Sequence, residues 1–215
     1  MILRSPDVQS PVCNGPDIEV RLSQFEEDKL DWSLLFGNPN PVEIELGCGK
    51  GRFIIRSARE NPDVNYFGIE KSIRFFRILK KRAVKSGVQN IGLLQGEAGY
   101  FIWKFIPENS VQAFRIYFPD PWPKKRHHKR RLVNTQFIES IKSSLTANGC
   151  IFFATDFADY FNHIVDTVRA CKGIEEVSRN VIHHSEADPE DASTNYERKY
   201  ILQGRPIYKA TYMKS

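Results

Sequence analysis

From residue 42 onward, short apolar runs alternate with stretches of helical periodicity, and few architectures accept that order. Strands are expected over 42–46, 65–70, 90–95, 111–118 and 149–155. Helical periodicity appears over 52–60, 72–86, 135–146 and 157–171, with Gly87 closing the second of these. Strand, helix and strand in succession build a parallel sheet with helices on both faces, because each crossover must lie on one face or the other. After residue 172 the pattern changes in kind. A strand is expected over 175–181, an acidic loop over SEADPED at 185–191, a helix over 195–203 stopped by Gly204, and an alternating final strand over 207–213.

Residues 1–40 are polar and proline-containing, with one short helix expected over 23–35; they read as an arm and capping segment, leaving 41–215 as the main domain. A chain of 215 residues accommodates one large domain. No apolar run approaches the roughly 20 residues of a membrane span. The opening MILRSPDVQSP lacks the apolar stretch of a secretory leader, and Cys13, Cys48, Cys150 and Cys171 form no CxxC pair. A cytoplasmic protein with reduced thiols, and no membrane or metal site, is expected.

VEIELGCGKG at 42–51 places a strand, then Gly47, Gly49 and Gly51, then a helix. Glycines there let a ligand approach the backbone, and the helix start supplies free N–H groups. A dinucleotide site would want its third glycine at position 52, which is Arg52. Glu45, just before the first glycine, would repel a pyrophosphate and attract a cation. S-adenosylmethionine, positively charged and without phosphate, fits better. Glu70, 19 residues past Gly51, is placed for both ribose hydroxyls of an adenosine, and Glu97 for the adenine amino group. Each follows a strand at the same edge of the sheet, where ligands of open α/β sheets bind.

PDPWPKKRHHKRR, 119–131, follows the fourth strand, so Asp120 emerges at that same edge with its backbone restricted by Pro119 and Pro121. Trp122 either stacks on a base or caps the core, the second being preferred. His127 and His128 suit phosphate or solvent better than a metal. The net charge is +5, yet 124–131 and 71–85 together hold thirteen Lys/Arg and no acid, leaving −8 for the remainder. Positive charge confined to two segments is the footprint of a polyanion partner. Over 72–86, Arg74, Arg77, Lys81 and Lys85 recur at three- and four-residue steps, with Ile73, Phe76, Ile78 and Leu79 as the buried stripe.

ELGCGKG, GIEKS at 68–72, PDPWPKKRHHKRR, ATDF at 154–157 and TNYERK at 194–199 together resemble the bacterial tRNA (guanine-N7)-methyltransferases, across about 42–213. The resemblance implies a class I AdoMet-dependent methyltransferase fold: a Rossmann-like α/β domain with a mostly parallel seven-stranded sheet, helices on both faces and an antiparallel last strand. It implies methylation of a guanine in the tRNA variable loop, with Glu45, Glu70, Glu97 and Asp120 contacting AdoMet and Asp120 as catalytic acid. Lys124, Asp156 and Thr194, Asn195, Tyr196 and Glu197 would contact the substrate. The spacing of Thr194 and Glu197 by itself favours a helix capping box.

The chemistry agrees with this inventory. Guanine N7 carries an in-plane lone pair, so no proton must leave before it attacks, and no general base is needed. A carboxylate beside the base, Asp120 with Asp156 near it, favours the charge that develops there. Two rivals stand: a nicotinamide oxidoreductase, disfavoured by Arg52 and by the lack of a Tyr-x-x-x-Lys pair, and a non-catalytic RNA-binding module on a methyltransferase scaffold. Nothing in the sequence calls for an obligatory protein partner.

Overall fold

The computed structural model describes residues 18–20, 29–183 and 188–215. Expected features at 1–17, 23–28 and 185–187 lie outside these, including the first six residues of the helix expected over 23–35 and part of the acidic loop. The strands are β1 (Glu19–Val20), β2 (Val42–Leu46), β3 (Asn65–Glu70), β4 (Ile91–Gln95), β5 (Val111–Tyr117), β6 (Leu145–Thr155), β7 (Ile174–Ile182) and β8 (Ile207–Lys214). They form one sheet in the order β1-β4-β3-β2-β5-β6-β8-β7. Pairings from β1 through β6 are parallel, and β8 runs antiparallel between β6 and β7. The two-residue β1 adds an eighth strand to the seven expected, covering the free edge of β4 where Glu19 and Val20 pair with Leu93 and Leu94.

The helices are α1 (Trp32–Phe36), α2 (Arg52–Glu60), α3 (Ile73–Ser86), α4 (Ala98–Phe105), α5 (Thr135–Ser144), α6 (Ala158–Arg169) and α7 (Asn195–Leu202). β3 is buried along its whole length, so its alternate side chains feed two cores. Phe67 and Ile69 belong to one core with Trp32, Phe101 and the apolar faces of α5 and α6, while Tyr66 belongs to the other with Ile54, Phe76 and Leu79 of α2 and α3. α3 departs from its expected stripe at Ile73, which is 56% exposed, because its buried face runs through Phe76, Leu79 and Ala83. The helix α4 has no counterpart among the expected elements. AGYFIWKF carries one charge in eight residues, so no polar face marks its period; packing of Phe101, Ile102 and Phe105 holds it instead. α5 ends at Ser144, two residues early, because Leu145 already pairs with Val111 in the sheet.

No helix among the described residues is long and apolar enough to cross a membrane. Cys48, Cys150 and Cys171 are free thiols. Parallel strands β2 to β6 present their carboxyl ends at one edge, and the loops that follow them enclose the site.

Candidate active site

The turn after β2 runs through three glycines in the left-handed region, with φ of 74° at Gly47, 55° at Gly49 and 76° at Gly51. At Gly51 an added Cβ would lie 2.2 Å from Leu79 Cδ1, so glycine is required by packing as well as by φ. At Gly47 an added Cβ would meet nothing within 4 Å, because the position faces open cleft. Glu70 clamps this turn: Oε2 accepts from Gly49 N–H at 2.8 Å and Oε1 from Ser72 N–H at 2.7 Å. Each oxygen keeps a further lone pair, and the side chain lines the cleft.

Glu45 lies beneath the turn, 4% exposed, and its Oε2 has no hydrogen-bond partner. Burial raises its carboxyl from 4.5 to about 8. Glu45 itself does not line the cleft, whereas its neighbours Leu46 and Gly47 do; a buried acceptor left open behind them suits a cationic or proton-donating ligand, which would restore the charged form. The cleft has a volume of about 960 Å³. Gly47, Gly49, Glu70, Glu97, Asp120 and Tyr196 all line it, so strand-end loops and the start of α7 converge there. Glu97 is also the N-cap of α4, accepting from Gly99 N–H at 3.2 Å and Tyr100 N–H at 2.8 Å.

Asp120 is exposed at the cleft between two non-glycine residues in the left-handed region, Phe118 with φ 53° and Trp122 with φ 43°. Backbone of this kind is costly and persists where surrounding contacts over-determine it. Phe118 packs on Tyr200 at 5.4 Å and Tyr196 at 6.2 Å, and its N–H donates to Ala154. Trp122 is half-buried on the cleft wall, with Arg130 over its ring at 5.0 Å, so the expectation of a core residue is corrected. The following residues coil into a 3-10 helix, Lys125–Arg130, without buried side chains. Lys124 precedes it, exposed and outside the cleft lining. Arg131 differs from its neighbours: it is buried and donates from Nε to the Pro121 carbonyl at 3.0 Å and from Nη2 to Asp159 at 2.5 Å. That bond holds the Asp159 carboxyl below the usual carboxylate range. The basic run therefore exposes five Lys/Arg side chains where six were expected.

Asp156, beyond β6, pairs with Arg205 at 2.5 Å. Thr194 is the N-cap of α7 and its Oγ1 accepts from Glu197 N–H at 3.0 Å. Glu197 reaches back to Ser193 N–H at 2.8 Å and pairs with Lys209 at 2.5 Å. This is the capping box the spacing suggests, shifted by one residue on the return bond. Both side chains are buried, Asn195 is exposed, and within TNYE only Tyr196 lines the cleft. Glu197 instead borders a smaller cavity of about 180 Å³ behind Phe118. Arg52 contributes in a way its sequence position does not signal, beyond its argument against a dinucleotide. Its guanidinium donates to the carbonyls of Ala192 at 3.0 Å and Glu190 at 2.9 Å, joining the glycine turn to the loop that starts α7.

Residues 39–210 match a family of proteins described as "Putative methyltransferase". A tRNA (guanine-N(7)-)-methyltransferase of Geobacter metallireducens is 36% identical over 212 residues, covering 99% of this chain and 97% of that protein. One of Lactobacillus helveticus is 37% identical over 184 residues, covering 85% and 84%. A solved antibiotic-related methyltransferase shares the fold with a TM-score of 0.61 at 15% identity, over 80% of this chain and 87% of that one.

Proposed function

Since the chain belongs to the tRNA (guanine-N(7)-)-methyltransferase family, we propose that it methylates N7 of a guanine in the variable loop of tRNA, giving 7-methylguanosine. The observation that carries this reading is the unpartnered Glu45 Oε2 at the foot of a glycine turn that opens into the same cleft as Asp120. The catalytic unit is residues 41–215, with 1–40 an arm whose described parts, β1 and α1, pack onto it. The enzyme is AdoMet-dependent, and AdoMet, when bound, supplies a methyl group on a positively charged sulfur.

Glu45 is the acid that a cationic cofactor would ionise; Gly47 and Gly49 leave it room, and Glu70 and Glu97 supply free lone pairs along the cleft. Asp120 takes part in cofactor binding and faces the base. There its fixed negative charge stabilises the positive charge that methylation leaves on the guanine ring. No residue has to remove a proton, because guanine N7 already carries its lone pair in the plane of the base. Tyr196 offers a ring face to an unstacked base, the mode by which single-stranded RNA is commonly held. Thr194, Asn195 and Glu197 set the start of α7 over the substrate, and Asp156 fixes its far end through Arg205. Lys124 and the exposed basic residues after it contact the tRNA backbone. The reading makes this a cytoplasmic tRNA-modifying enzyme.

The test is mass spectrometry of nucleosides from unmodified tRNA incubated with the protein and AdoMet. A new 7-methylguanosine is expected; its absence, or a different methylated nucleoside, overturns the reading.

A further inference from the structure

Arg131 belongs to the basic run by sequence and to the interior by structure. Its side chain is 3% exposed, whereas Lys124, Lys125, Arg126, Lys129 and Arg130 are all exposed. A buried guanidinium loses its hydration and must recover that loss through its contacts. It donates from Nε to the Pro121 carbonyl at 3.0 Å and from Nη2 to Asp159 Oδ2 at 2.5 Å, and lies 3.1 Å from His128 Nε2 and 4.9 Å from the centre of the Tyr160 ring. Guanidinium has only donors, so the His128 contact is a hydrogen bond when Nε2 is an acceptor. Asp159 and Tyr160 stand in the first turn of α6, a rigid element docked on the sheet.

Pro121 directly follows Asp120, and the segment around it is the one held at left-handed φ by Phe118 and Trp122. Proline rings fix their own φ but leave the orientation of the next carbonyl to its surroundings. The Arg131 Nε bond supplies that orientation, with α6 as the anchor. We propose that Arg131 is a positioning residue for methyl transfer, which sets Asp120 at the cleft by gripping the Pro121 carbonyl, and that it is not a phosphate contact. The proposal rests on the reading of Asp120 as the acid beside the guanine.

The experiment compares single-turnover methylation of tRNA at saturating AdoMet and tRNA for wild type, Arg131→Lys, Asp120→Asn and the double variant, with tRNA affinity measured across salt for each. Lysine keeps the charge but cannot grip Pro121 and Asp159 as a fork. Arg131→Lys is expected to slow transfer on the order of 100-fold, as misplacement of a reacting group does, with the salt slope unchanged. In the Asp120→Asn background the same change should cost little more. A kept rate in Arg131→Lys overturns the proposal; because lysine keeps the charge, the salt slope is read on Arg131→Gln, where flattening by about 0.7 to 0.9 identifies a phosphate contact and also overturns it. Equal fractional losses in both backgrounds mean that Arg131 acts independently of Asp120, which also overturns it. A wild-type rate for Asp120→Asn instead removes the reading of Asp120 itself. Should Arg131→Lys not fold, Asp159→Ala changes a side chain 63% exposed and releases one end of the guanidinium. Its rate should fall roughly tenfold, the scale of one charge-assisted hydrogen bond, beside a lowered melting temperature, because the buried guanidinium loses its carboxylate. An undiminished rate in that variant overturns the proposal.

Discussion

Arg52 Nε donates to the carbonyl of Ala192 at 3.0 Å, tying the first residue of α2 to a loop 140 residues further along the chain. A second bond from the same guanidinium reaches Glu190, and the loop so held leads into Thr194 and α7. The glycine turn and α7 are thus joined by one side chain.

Arg52→Ala should therefore weaken the substrate side more than the cofactor side. We expect KM for tRNA to rise about 10- to 100-fold, the scale of two lost charge-assisted hydrogen bonds, with AdoMet affinity nearly kept. Steady-state kinetics with tRNA varied, beside calorimetric titration of AdoMet, separates the two. An unchanged KM would mean that the bonds only decorate the loop.

Glu45 gives the protein a pH dependence of defined sign. Its carboxyl is raised from 4.5 to about 8, chiefly by burial. Between those values the folded state holds a proton that the unfolded state has released, so stability falls as pH rises through the window. Glu45→Gln is neutral throughout. The ligand-free variant should lose less stability than wild type between pH 5 and pH 8, by on the order of a few kcal/mol, in urea melts. AdoMet binding near pH 7 should release a proton in wild type and not in the variant, as read by calorimetry in buffers of different ionisation enthalpy. Identical pH profiles for the two proteins would rule this out.

Gly49→Val places a branched side chain at φ 55° on the cleft side of the turn, where the nearest atom to an added Cβ is Gly47 O at 4.0 Å. Nothing in the protein clashes, so the chain should stay folded, with a local cost of about 1–3 kcal/mol. The ligand space is what the side chain occupies. AdoMet binding should be lost while circular dichroism is kept; normal affinity would remove the cofactor assignment.

Asp120→Asn keeps the size of the side chain and removes its charge. Single-turnover transfer at saturating AdoMet should slow on the order of 100-fold or more, the usual scale for a group that stabilises developing charge. A saturated rate within about threefold of wild type would restrict Asp120 to holding the cofactor.

Arg126, Lys129 and Arg130 are exposed on the 3-10 helix, and Arg130 lines the cleft beside Trp122. Replacing all three with Ser should flatten the slope of log K for tRNA against log salt by about two units, with less effect on AdoMet. Free guanosine, having no backbone to grip, should react equally poorly with both proteins. An unchanged slope would leave the basic run a solvated surface.

The alternation of strands and helices, the glycine turn and its neighbouring acids are legible in the sequence because each is local. A strand end followed by glycine has its conformation set by residues within a few positions, the prolines beside Asp120 restrict it locally, and the parallel order then brings all such ends to one edge. The capping box at Thr194 and Glu197 is equally visible, since four residues of chain contain it.

Other features depend on contacts that the linear chain does not encode. α4 carries one charge in eight residues, so its exposed face is not marked by polarity, and it is a helix because Phe101, Ile102 and Phe105 find a core to fill. β1 is two residues long and exists through the open edge of β4. Trp122 has the size and apolarity of a core residue and stands on the cleft wall, because the left-handed turn at that residue sends the chain outward. Arg131 is chemically the same as Arg130 beside it. Both residues line the cleft, and only the docking of α6, which brings Asp159 and Tyr160 against the loop, decides that one guanidinium is buried in its wall while its neighbour stays exposed. Charge sums over a segment, but burial belongs to a single side chain and is settled by whatever packs against it in three dimensions.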